Sequence, residues 1–87
     1  DNSRFRVIIS ERIRHKALNA RAFVEWVDHG MMAASIAEWR KLGRSDDMPA
    51  WIYDCHAEIK KMLETTTQQE LVSRANTIAN RYHKEVT

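Results

Sequence analysis

The sequence predicts an all-α fold, a small bundle of about four helices, and three observations carry that reading. Apolar residues recur at steps of three and four along most of the chain, as one face of a helix requires. Two Gly and one Pro leave too little punctuation for the many tight turns of a sandwich or barrel. A hydrophobic fraction of 44% beside 30% charged residues belongs to a chain that buries a core, and 87 residues make one domain, 1–87.

Residues 3–9 read either as a short extended segment or as a helix. Arg4, Phe5, Arg6 and Val7 alternate polar and apolar and lead into Ile8 and Ile9, which suits a strand. A helix from Ser3 instead puts Phe5, Ile8, Ile9 and Ile13 on one side, and it is preferred because no other stretch of the chain offers a strand to pair with. A long helix is expected over 10–29, with Ser10 as N-cap and Gly30 as the left-handed residue that ends it. Within it Ile13, Ala17, Ala20, Val24 and Val27 follow at steps of four, three, four and three, a seam that keeps one face toward a partner helix. Phe23 widens this face, and Trp26 lies off it and needs a second neighbour.

The next helix is expected over 31–42, with Met32, Ile36, Trp39 and Leu42 on one side and Ala33, Ala34 and Ala37 on another. Gly43 ends it, and Arg44, Ser45, Asp46 and Asp47 form a loop. A third helix, 48–64, takes Asp47 or Ser45 as its cap, tolerates Pro49 in its first turn, and carries the stripe Trp51, Ile52, Cys55, Ile59, Met62 and Leu63. The fourth, 67–85, opens with a capping box in which Thr67 and Glu70 satisfy each other's backbone donors. Leu71, Ala75, Ile78, Tyr82 and Val86 follow along one face, with Val72 and Ala79 beside them.

The formal net charge of +2 is unevenly spread. Residues 1–21 hold six cations against Asp1 and Glu11, residues 22–58 hold three cations against seven carboxylates, and the remainder holds five against three. A basic opening is what phosphate contact needs, because neutralised phosphates release counterions and supply most non-specific affinity. Arg4, Arg6, Arg12, Arg14 and Lys16 are thus the candidate nucleic-acid-binding residues, and the first functional expectation is a small nucleic-acid-associated module, a regulator acting as an oligomer. The alternative is a protein-interaction or oligomerisation module whose partner interface is the seam Ile13, Ala17, Ala20, Val24 and Val27.

Two outlines of DNA-binding elements can be drawn. Phe23 to Arg40 has that of a helix-turn-helix with Gly30 in the turn, but the residues first into the groove are Met32, Ala33, Ala34 and Ser35, three of them without a group for base edges. Phe5, Val7, Ile9, Ser10 and Ile13 resemble the strand-then-helix opening of ribbon-helix-helix repressors. That resemblance, over about ten of the 87 residues, implies that Arg4, Arg6 and Ile8 face DNA while Phe5, Val7 and Ile9 face the core. It departs from the family in the length of the helix before Gly30.

No catalytic residue, cofactor or small-molecule substrate is expected. Asp54, Cys55 and His56 are consecutive, so on a helix they point about 100° apart and do not share an ion. Cys55, on an apolar stripe, reads as a core residue and not a thiolate nucleophile, and neither glycine sits in a phosphate-cradling loop. One cysteine makes no internal disulfide, and no apolar run approaches the roughly 20 residues of a bilayer span, so a soluble intracellular protein is expected. The chain opens at Asp1 and not at Met, as a piece excised from a larger protein would.

Overall fold

The stretch 10–29 is not one helix. A computed structural model describes residues 2–84 and divides them into α1 (Ser3–Lys16), α2 (Ala20–His29), α3 (Met31–Lys41), α4 (Ala50–Thr65) and α5 (Leu71–Lys84). Residues 3–9 are helical, there is no strand among the described residues, and the strand-then-helix opening is therefore absent. Val86 and the end of the expected fourth helix at residue 85 lie outside the described residues.

The break between α1 and α2 falls at Ala17, Leu18 and Asn19. Asn19 leaves the helical region and its side chain accepts from the backbone N–H of Ala22 at 3.1 Å, which satisfies one of the donors a new helix leaves unpaired. Ser10, expected as a cap, lies instead in mid-helix: it is buried, and its hydroxyl donates to the carbonyl of Ala79 at 3.1 Å, joining α1 to α5. Gly30 has an ordinary φ of −128° and is not a left-handed terminator. A Cβ there would stand 3.1 Å from Cδ1 of Trp26, so the glycine makes room for the indole. Gly43, at φ +85°, supplies the left-handed turn that follows α3.

In α3 the buried residues are Met31, Ser35 and Trp39, while Ile36, placed by its spacing on the side of Trp39, is exposed. The serine is admitted because its hydroxyl is satisfied within its own helix, donating to the Met31 carbonyl at 2.7 Å. Before α4 the N-cap is Pro49, with no side-chain cap from Ser45 or Asp47. The α4 stripe is as expected, with Ile52, Cys55, Ile59 and Met62 buried. The Thr67–Glu70 box forms at 3.3 Å in both directions, in the turn that leads into α5.

α1 packs most extensively on α5, and α4 on α5, with α2 and α3 closing the remaining side. Phe5, fully buried, is the centre of an aromatic group: its ring lies 4.8 Å from that of Trp39 and 5.5 Å from that of Trp51. Trp26 is half-buried against Phe23, with centroids 6.1 Å apart. No helix among the described residues is long and apolar enough to cross a membrane.

Candidate functional site

On a helix the five basic candidates cannot share a face, because positions 4, 6, 12, 14 and 16 fall at widely separated angles around its axis. Arg4 points outward and is exposed. Arg6 lies half-buried, with its guanidinium 4.4 Å above the Trp51 ring and donating to the Tyr82 carbonyl at 2.7 Å. Arg12 pairs with Glu38 of α3 at 3.6 Å, Arg14 donates to the side-chain oxygen of Asn80 in α5, and Lys16 is half-buried at the end of α1. Three of the five thus use their head groups inside the molecule.

Arg6 belongs to a network that closes one end of the bundle. Arg81 donates to both carboxylate oxygens of Glu58, at 2.7 and 2.5 Å, and the Tyr82 hydroxyl donates to the same carboxylate at 3.1 Å. The Arg81 bonds hold the Glu58 carboxyl below its ordinary range. Burial pushes the Cys55 thiol up to about 12, reinforced by the negative charge of Glu58. Burial, with the bond to Glu58, also raises the Tyr82 phenol to about 12. A thiol so held is protonated and inert at neutral pH. His56, next in the chain, spends its Nε2–H on the Val27 carbonyl at 2.8 Å, and among the described residues no three His, Cys, Asp or Glu side chains converge as a metal site.

The seam divides between core and surface. Ile13, Ala17 and Val27 are buried in the chain's own core, whereas Ala20 is half-buried and Val24 is 40% exposed. Ala20 and Val24 line an open groove of about 500 Å³ between α2 and the α4–α5 turn, whose other apolar wall is Leu63 and Leu71. Outside the groove lining, Leu18 before α2 is 72% exposed, Ile36 in α3 40% and Val72 after Leu71 38%. Arg21 and Glu25, one turn apart, also line the groove, and neither forms an ion pair among the described residues. Leu63, Leu71, Arg21 and Glu25 are not legible as site residues from spacing alone. Leu63 and Leu71 lie on core stripes, and only the position of the α4–α5 turn shows that one flank of each stays open.

A second groove, of about 400 Å³, runs along the outside of α4 and α5. Its floor is Met62 and Ile78, and Lys61, Arg74 and Arg81 stand along it against a single carboxylate, Glu58. Comparison with protein-family models, curated proteins and solved structures gives no match to this chain.

Proposed function

We propose that this domain is a non-enzymatic protein-interaction module that receives an amphipathic helix in the groove between α2 and the α4–α5 turn. The observation that carries the reading is the exposure of Val24 on the wall of a groove whose other apolar lining is Ala20, Leu63 and Leu71. Exposed apolar patches of this kind on small soluble domains mark interaction sites, and a helix presents apolar groups at the i, i+3 and i+4 spacing that fits an elongated groove.

Selection from a library of amphipathic helical peptides tests the reading. Peptides enriched on the wild-type domain are expected to lose at least tenfold in affinity for Val24→Asp and for Leu63→Asp, and to bind Tyr53→Asp, altered at an exposed residue outside this groove, unchanged. Equal binding to all of these variants overturns it.

A second reading, contact with nucleic-acid phosphate, draws support from the groove along α4 and α5, where Lys61, Arg74 and Arg81 meet one carboxylate. It predicts oligonucleotide binding that weakens steeply with salt and that Lys61→Glu with Arg74→Glu removes. No binding at low salt excludes it.

A further inference from the structure

We infer that the occupant of the α2 groove is a second copy of this chain, seated by a two-fold, antiparallel α2–α2 contact; this rests on the reading of the groove as a docking site. Charge complementarity within α2 selects this occupant. The groove carries one cation and one anion on α2, Arg21 and Glu25, four residues apart and both without an ion-pair partner among the described residues. A foreign helix bearing one sign of charge meets repulsion from one of the two. The same helix read backwards is the complement of itself: a two-fold axis across α2 level with residue 23 sets Arg21 of each copy against Glu25 of the other, with Val24 next to the axis and Ala20 about one turn from it. Isologous contacts require this self-complementary order, and opposite charges at the edge of an apolar patch fix its register.

The geometry also limits the strength of the contact. Ten residues of helix span about 15 Å, so the buried area falls at the small end of specific interfaces and the dimer dissociates at accessible concentrations. Val24 is the apolar anchor, and its replacement by Asp puts two carboxylates at the centre of the pair. Because Val24 is already 40% exposed, the monomer's fold survives the change, and thermal melting verifies this.

Sedimentation equilibrium from about 10 µM to about 1 mM, the range in which so small an interface dissociates, is the test. Wild type is expected to show a monomer–dimer equilibrium and Val24→Asp only monomer. Arg21→Glu alone and Glu25→Arg alone are each expected to weaken association about tenfold, since each turns two attractive pairs into two repulsive ones. An equimolar mixture of the two variants is expected to recover a dimer near wild-type affinity. A wild type monomeric throughout overturns the second copy while leaving the peptide selection to judge the groove. A dimer that Val24→Asp and both charge reversals leave intact overturns the α2 contact. If the selected peptides then also bind Val24→Asp and Leu63→Asp unchanged, the groove reading fails separately.

Discussion

Where α1, α4 and α5 meet, the aromatic core is roofed by Arg6, Glu58, Arg81 and Tyr82, whereas where α2 meets the α4–α5 turn an open groove is lined by half-buried Ala20 and Leu63 and exposed Val24, with buried Leu71 behind them. Both places sit on the same two helices, the first at the middle of α4 and the end of α5, the second at the end of α4 and the start of α5. The roofed end has long side chains: the Arg6 guanidinium lies over the Trp51 ring and bonds the Tyr82 carbonyl, and Arg81 and Glu58 spend their charges on each other. The open end has short aliphatic side chains of which Val24 is exposed and Ala20 and Leu63 are half-covered. One end of the core is covered by charged groups and the other carries a partly open apolar groove.

Several substitutions can break that division. The largest expected effect is Phe5→Ala at the roofed end, which removes a fully buried ring between Trp39 and Trp51 and costs about 3–5 kcal/mol, read as a lower urea midpoint. Thr67→Ala, which takes away the capping box at the entry to α5, is expected to cost about 1 kcal/mol, with the loss appearing as a lower melting temperature. Glu58→Gln is expected to cost less, about 0.5 kcal/mol, since Arg81 and Glu58 are partly exposed and solvent screens their attraction. Val24→Asp sharpens the comparison from the other side: less than about 0.5 kcal/mol on the monomer, with the whole effect on association.

The roofed end should also govern the response to pH. Glu58 has a lowered carboxyl in the fold, so its contribution is present above the ordinary carboxylate range and is lost as pH falls through the folded value. Melting temperatures on acidification are expected to fall less in Glu58→Gln than in wild type. Cys55 and Tyr82 act in the opposite direction, each raised to about 12 from 9.0 and 10.0. Their contribution is intact below 9 and is lost as pH rises toward 12, because the unfolded chain releases those protons first. Thiol labelling of the native protein at neutral pH is expected to be slow, and fast only after unfolding.

Much of the fold is legible in local spacing, and the exceptions have physical causes. The stripe Ile52, Cys55, Ile59 and Met62 is read correctly because α4 stays one helix, so a period of 3.6 translates directly into a face. The seam through Ala20 and Val24 misleads because its steps run unchanged across the turn at residues 17–19, where the helix axis changes direction and α2 turns Phe23 and Val27 inward in place of Val24. Asn19 is the signal that was available there, a good N-cap two residues past the buried Ala17. The basic opening does not become one basic face, for a different reason. Charges counted along a chain say nothing of direction, and a helix scatters Arg4, Arg6, Arg12, Arg14 and Lys16 around its axis. Ser35 in the core escapes a hydropathy pattern because a hydroxyl that bonds its own helix costs little to bury.

The bonds from Arg6 to Tyr82 and from Ser10 to Ala79 join residues 76 and 69 positions apart, so the two outermost helices of the described chain are neighbours. Helical bundles usually fold fast because their contacts are local, but this closure must wait until nearly the whole chain has been drawn together, with the loop entropy that entails. Docking of α1 on α5 is therefore expected to lie after the rate-limiting step of folding. Weakening it by Ser10→Ala should speed unfolding and leave the folding rate almost unchanged, giving a low φ-value in stopped-flow measurements, whereas an equal loss within the α4–α5 pair should slow folding.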